Sequence, residues 1–281
     1  MKIGRIELVK NCPDVTLTGY LLVFSKESVP LDDPIKNSDD SKRPAIIICP
    51  GGGFLTISER EAEPVTLFFA EQGYQGFVLR YTTYSTSESQ KMNISKGLTV
   101  KQNVNFPCQL YELGQAMLLL HSNSERWHID PQKIGICGFS SGGNIVALYS
   151  TRYNEPILTD YFDVSPEQLR PSVTIVGYPL TDYHFLMGKD LENRMKSPQK
   201  YAFLKACNIA YLGVEFPSKQ LQEDVSPVNH VDKDTPPFFI WTTSTDSMVS
   251  LVHSLNMAEA LSDSDISMSC IFLEKVTMVL V

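Results

Sequence analysis

Ile134-Gly135-Ile136-Cys137-Gly138-Phe139-Ser140-Ser141-Gly142-Gly143 is an apolar, β-prone run that ends in G-x-S-x-G and passes into helical spacing. In that context Ser140 stands at a strained turn between strand and helix, and the small residues Gly138 and Gly142 let the two segments pass closely enough to expose its hydroxyl. The chemistry on offer is nucleophilic attack by that hydroxyl. A glycine-rich phosphate loop is the competing reading, but there is no G-x-G-x-x-G and no Gly-Lys-Ser/Thr ending.

A second glycine cluster, Pro50-Gly51-Gly52-Gly53-Phe54, follows the apolar run Ile46-Ile47-Ile48-Cys49. A loop of this kind, with the residue after the nucleophile, supplies backbone N–H groups to a developing oxyanion. Gly52, Gly53 and Ser141 are the candidates for that role. The plainer reading of the cluster is a glycine turn that ends a strand. An acid is expected later in the chain. Asp246 fits, in Ser244-Thr245-Asp246-Ser247-Met248-Val249 after the β-prone Phe238–Thr243. The alternative acid is Asp182, after the Val173–Val176 run, which is equally placed to cap a turn.

The elements that must hold these residues alternate between β-rich and helical stretches, the pattern of a mostly parallel sheet with helices on both faces. Strands are expected at Thr16–Phe24, Ala45–Cys49, Gly76–Arg80, Ile134–Gly138, Val173–Val176, Phe238–Thr243 and Ser267–Leu273. Helices are expected at Gln109–Ser122, Ser141–Tyr153 and Pro198–Leu212, and at Ser58–Gln72, where Ser58 and Glu61 have capping-box spacing. Three longer segments, 81–107, 154–171 and 181–237, are read as insertions that rim the carboxyl ends of the strands, the last as a small helical cap. The whole of 1–281 is read as one α/β domain.

A net charge of −8 without any Lys/Arg block argues against nucleic-acid or anionic-membrane partners. The amino end carries charges among its apolar residues, and no later apolar run approaches the roughly 20 residues that span a bilayer, so a cytoplasmic protein is expected. The six cysteines are far apart and none has zinc-type spacing, so neither a metal nor a cofactor is expected.

With these residues in hand, the chain resembles the esterase/lipase-like α/β-hydrolases of the acetyl-esterase or xylan-esterase-related type. The resemblance runs from about Leu17 to Lys275 and rests on Pro50–Phe54, Phe106-Pro107, Asp130-Pro131, Gly138–Gly143, Ser226-Pro227-Val228 and Thr242–Val249. Pro50 stands where the family's glycine loop has a His. The resemblance implies the α/β-hydrolase fold and an acyl-enzyme mechanism on small acyl esters, including acetylated sugars. A serine peptidase of dipeptidyl-peptidase type is the alternative within the fold, against which stands the lack of a preceding propeller domain. A catalytically inactive binding protein is the other.

The resemblance also implies a His-Gly pair after the last strand and a closing helix beyond it, and here the chain departs. After Leu273 it reads Glu274-Lys275-Val276-Thr277-Met278-Val279-Leu280-Val281, and none of the five histidines, at 121, 128, 184, 230 and 253, lies in that loop. His184 is the nearest substitute, while His230 and His253 read as structural. Codon arithmetic suggests a cause. Met is ATG and Val begins GT, so reading Met278-Val279 one base earlier gives NAT-GGT, that is His, Asn, Asp or Tyr followed by Gly. Extended upstream, the shifted tail can read Leu-Glu-Lys-Gly-His-His-Gly, with a His where Met278 stands. The expectation is one base lost near Lys275, by mutation or sequencing error, which resequencing of that stretch decides. Without a base, the loss in rate is on the order of 10⁴ to 10⁶. Loss of a closing helix would leave apolar sheet exposed, which predicts poor solubility or association, a homodimer being one outcome.

Overall fold

A computed structural model describes residues 1–10, 12–22, 42–85, 94 and 97–274. In chain order its main elements are β1 (Lys2–Glu7), β2 (Thr16–Leu21), β3 (Arg43–Cys49), α1 (Glu63–Glu71), β4 (Gln75–Arg80), α2 (Cys108–Ser122), β5 (Ile129–Phe139), α3 (Ser141–Arg152), α4 (Pro156–Phe162) and β6 (Thr174–Gly177). Then follow α5 (Tyr183–Phe185), α6 (Leu191–Arg194), α7 (Pro198–Leu212), α8 (Lys219–Asp224), β7 (Phe238–Thr243), α9 (Leu251–Asp263) and β8 (Met268–Leu273). Among the described residues the strands form one eight-stranded sheet in the order β1-β2-β4-β3-β5-β6-β7-β8. The first two pairings are antiparallel and the rest parallel. This is the α/β-hydrolase fold expected from the sequence.

The centre of the sheet reads as a continuous apolar run because both faces are covered. Along β3 the side chains alternate: Ala45, Ile47 and Cys49 join the core beneath α2 and α3, whereas Ile46 and Ile48 pack toward Val65 and Phe69 of α1. Every one of these five β3 residues is buried.

Three elements depart from expectation, each for a local reason. β1 carries charges on an edge strand whose outward residues, Ile3 included, are exposed, so it lacks the clean apolar alternation that announces a strand. β5 begins at Ile129 because a bulge opposite Arg43–Ala45 takes up the residues around Pro131, which interrupt the β signal. The expected helix 58–72 is broken into a 3₁₀ turn, Glu59–Glu61, and α1, with Pro64 in its first turn. The end of the first expected strand, residues 23–24, lies outside the described residues, as do 86–93, 95 and 96 of the first insertion and the tail 275–281.

The insertions do not share one edge. Residues 181–237 leave the carboxyl end of β6 and build α5 to α8, with Pro198–Leu212 helical as expected. The 154–171 segment instead lies at the amino ends: α3 has by then run back across the sheet, and Ser172 N–H donates to the Ile134 carbonyl near the middle of β5 (2.8 Å). There α4 packs on α2, with Tyr161 stacked on Tyr111 at 3.6 Å and Phe162 against Gly114. It therefore rims the opposite side of the sheet from Ser140.

Candidate active site

Ser140 lies at the junction of β5 and α3 with φ 52° and ψ −115°, a backbone conformation that an L-residue adopts only under constraint. The constraint is visible on every side. Ser140 N–H donates to the Gly177 carbonyl (3.0 Å), and its own carbonyl accepts from Asn144 (3.0 Å). A Cβ on Gly138 would stand 2.3 Å from the Gly142 carbonyl oxygen, and one on Gly142 would stand 2.1 Å from the Cys49 carbonyl oxygen. Both glycines are thus required for the strand, the helix and the end of β3 to meet. The turn delivers Ser140 to the amino end of α3, where unpaired N–H groups and the helix dipole favour negative charge.

The second glycine cluster lies against this elbow. Gly52 and Gly53 have φ of 136° and 65°, and a Cβ on Gly52 would meet the Thr56 carbonyl oxygen at 1.9 Å, so the sharp turn admits only glycine. Gly53 N–H donates to Ser141 Oγ (2.9 Å), and Tyr81, buried under the loop, donates its hydroxyl to the Pro50 carbonyl (2.7 Å). Burial raises the Tyr81 phenol well above its ordinary pKa, keeping it a neutral donor. Gly52, Gly53, Ser140 and Ser141 are therefore brought together as the sequence suggested, with Gly53 N–H already engaged by the Ser141 hydroxyl.

Gly51 has a partner that sequence reading misassigned. Ser58 makes no capping bond, and Glu61 does not close a capping box. Instead the buried Glu61 carboxylate accepts from Gly51 N–H through Oε2 (2.7 Å) and from the Tyr178 hydroxyl through Oε1 (2.8 Å). Gly51 is in contact with the elbow: a Cβ there would lie 3.1 Å from Ser140 Cβ. Tyr178 directly follows Gly177, which accepts the Ser140 N–H. One carboxylate thus ties the glycine loop to the strand end that holds the elbow. No local spacing announces it, because Tyr178 is brought in only by the sheet.

Ser140 opens into a small pocket of about 50 Å³. Its walls are largely apolar, from Leu180, Leu186, Phe203 and Val249 among others, with Ser141, Tyr183, Arg194, Cys207 and Asn208 as the polar side chains beside Ser140. A larger groove of about 650 Å³ borders the glycine loop through Thr56 and Ile57 but does not include Ser140.

The two candidate acids are held differently. Asp182 caps α5: Oδ1 accepts from Phe185 N–H (2.8 Å), Oδ2 from Asn256 Nδ2 (2.6 Å), and its own N–H donates to His253 Nδ1 (3.2 Å). Asp246 lies in the loop after β7, where Oδ1 accepts from the Met248 and Val249 N–H groups (2.7 and 2.9 Å). Its neighbours Met248 and Val249 line the Ser140 pocket.

None of the five histidines serves Ser140. His184, the nearest substitute by position, pairs with Glu223 (2.8 Å) on an exposed surface, and His230 faces Glu155 (3.4 Å). His253 is fully buried and committed to Asp182, and burial lowers its pKa to about 4. His121 and His128 precede β5, at the opposite end of that strand from Ser140. The position of Met278, where the shifted frame places a His, lies outside the described residues. Among the described residues no group of His, Cys, Asp and Glu side chains gathers to hold a metal, and no helix is long and apolar enough to cross a membrane.

Comparison with known proteins gives the family. The chain is 26% identical over 235 residues to endo-1,4-beta-xylanase B of Butyrivibrio fibrisolvens, covering 82% of this chain and 31% of that protein. It is 24% identical over 208 residues to the probable carboxylic ester hydrolase LipM of Mycobacterium tuberculosis, covering 73% and 42%. The chain thus spans less than half the length of these curated relatives. Among solved structures it is similar to the acetyl ester-xyloside bifunctional hydrolase of Caldicellulosiruptor lactoaceticus, with a TM-score of 0.70, 26% identity, and coverage of 97% of this chain and 86% of that one. The BD-FAE profile matches residues 31–261, and the chain belongs to that family of α/β-hydrolase esterases.

Proposed function

We propose that the chain is the catalytic region of a serine carboxylic-ester hydrolase that acts on small acyl esters, acetylated sugars among them. The observation that carries the reading is Ser140 itself, a non-glycine residue at φ 52° between a buried strand and a helix, walled by glycines that no Cβ could replace. Ser140 Oγ attacks the acyl carbon. Gly52 and Ser141 offer N–H groups to the oxyanion at the amino end of α3, and Gly53 joins them when its N–H turns from the Ser141 hydroxyl to the substrate. The acyl-enzyme is then released by water. A base must take the Ser140 proton and Asp246 orients it. The shifted frame supplies that base as a His at 278, a few residues beyond β8 in sequence; the end of β8 adjoins the acid loop, where Ser244 N–H donates to the Leu273 carbonyl (2.9 Å).

The test compares the chain as written with one carrying Met278→His and Val279→Gly, on p-nitrophenyl acetate. Restoring a triad member is expected to raise kcat on the order of 10⁴-fold, and Ser140→Ala to remove the gain. Equal rates in the two chains, both abolished by Ser140→Ala, would mean that some other group is the base. The distribution of the histidines favours a second reading for the chain as written, a binding protein of the same fold without turnover. Ester binding in the absence of hydrolysis would support it.

A further inference from the structure

Two cations of the insertion that follows β6 reach across to the loop after β7, and both fall on the peptide groups that hold Asp246. Asp246 Oδ1 accepts from Met248 N–H (2.7 Å) and Val249 N–H (2.9 Å). Each of these N–H groups shares a planar peptide with the carbonyl before it, so whatever fixes that carbonyl also fixes the direction of the N–H. The Ser247 carbonyl, on the peptide of Met248 N–H, accepts from Lys200 Nζ of α7 (2.7 Å). The Met248 carbonyl, on the peptide of Val249 N–H, accepts from Arg194 Nη2 of α6 (2.6 Å).

The loop needs such a grip. Ser244, Thr245 and Ser247 are exposed, so their own packing does not stop the turn from rotating its peptides. Arg194 is buried, and its Nε donates to Asp190 Oδ2 (2.6 Å), a bond that offsets the charge and aims the guanidinium at the loop. A donor on a peptide oxygen also polarises the N–H on the other side and strengthens its bond to the carboxylate. Asp246 Oδ1 is thus fixed through two peptide groups. Oδ2 accepts no hydrogen bond among the described residues, which leaves it to a base.

The geometry points to Lys200 and Arg194 as positioning residues for Asp246, acting on it through the 247–248 and 248–249 peptide groups. The insertion then sets the acid as well as walling the pocket. This rests on the reading of Asp246 as the acid that orients the base. Lys200 does not line the Ser140 pocket, so its path to the reaction is the loop.

The first test needs no turnover and uses the chain as written: amide hydrogen exchange by NMR. Lys200→Met should speed exchange at Met248 about threefold, as for loss of a partly exposed charged contact, with no change at Phe185, whose N–H is held by Asp182 instead. Removing Arg194 alone would strand the Asp190 charge, so Asp190→Leu is combined with Arg194→Leu, and exchange should then rise about tenfold at Val249. Unchanged exchange at Met248 in the Lys200 variant would overturn the proposal and leave the ester reading standing.

The second test uses the chain carrying Met278→His and Val279→Gly, on p-nitrophenyl acetate. Lys200→Met should lower kcat about threefold at constant KM, and Lys200→Arg, which still donates, should restore it. In the Asp246→Asn background the threefold loss should vanish, because a residue that acts through the acid then has nothing to position. A loss that persists there, or no loss at all, would overturn the proposal while hydrolysis still depends on Ser140. Absence of Ser140-dependent hydrolysis in the chain with the restored His would overturn the ester reading and the proposal with it.

Discussion

At the β3–β5 centre of the sheet, Ile46, Ile47 and Ile48 are buried on both faces, Gly142 lies against the backbone at the end of β3, and the Glu61 carboxylate has both oxygens engaged. At the β7–β8 end, α9 covers one face, but Ile271, Phe272 and Leu273 are 38–45% exposed, and Asp246 sits half-buried in a loop. Ser140 and the glycine loop proposed to hold the oxyanion are thus locked by steric necessity, while the proposed acid Asp246 is positioned by two hydrogen bonds to its own turn. A nucleophile must be strained and preorganised before substrate arrives, and that calls for close backbone packing. An acid only has to present one oxygen to a base.

The largest effect that could break this comparison concerns which acid works. In the chain carrying Met278→His and Val279→Gly, Asp246→Asn is expected to lower kcat by on the order of 10⁴, as loss of a triad orienting carboxylate does, while Asp182→Asn leaves it near the parent value. The reverse result would move the acid to the end of β6. Next in size is steric: Gly142→Ala should cost about 3 kcal/mol, because the new methyl meets the carbonyl oxygens of Cys49 and Pro50 at 2.1 and 2.4 Å. Phe272→Ser, on exposed β8, should stay within about 0.5 kcal/mol. Chemical denaturation of the two variants measures both, and similar losses would mean that the centre and the β8 edge are equally packed.

Glu61→Ala should cost about 2 kcal/mol by leaving the Gly51 N–H and the Tyr178 hydroxyl unpaired, against about 1 kcal/mol for removing the Asp182 cap. The smallest contrast is in pH dependence. Burial raises the Glu112 carboxyl, which accepts from Thr82 after β4, from 4.5 to about 7. The folded chain then holds a proton that the unfolded chain has released, so this contribution is full below pH 4.5 and is lost as pH rises toward 7. His253, lowered from 6.5 to about 4 mainly by burial, acts in the opposite sense: its contribution is present above pH 6.5 and is lost as pH falls toward 4. Thermal melts of Glu112→Gln should lose the first slope and those of His253→Gln the second; an unchanged slope in either would show that the group does not titrate in that window.

Much of the Ser140 region was legible in the chain. Ser140 and its glycines are neighbours in sequence, and the alternation of β3 and the helical spacing of Pro198–Leu212 are local properties of the backbone. Local pattern misread Glu61, because a carboxylate three residues after a serine has capping-box spacing whether or not its true partners lie elsewhere. It likewise placed the 154–171 insertion at the wrong edge, since direction across a sheet is set by the helix that precedes a segment and not by its composition.

What the sequence determined by itself was the type of fold and the strained strand–helix turn at Ser140, because backbone propensity, glycine geometry and apolar period act between near neighbours. The tertiary structure alone decided that Glu61 braces the glycine loop, that Asp182 is spent on a helix cap, and that Arg194 and Asn208 line one pocket with Ser140. Each of these depends on contacts between segments far apart in the chain, and those form only when the sheet brings strand ends together.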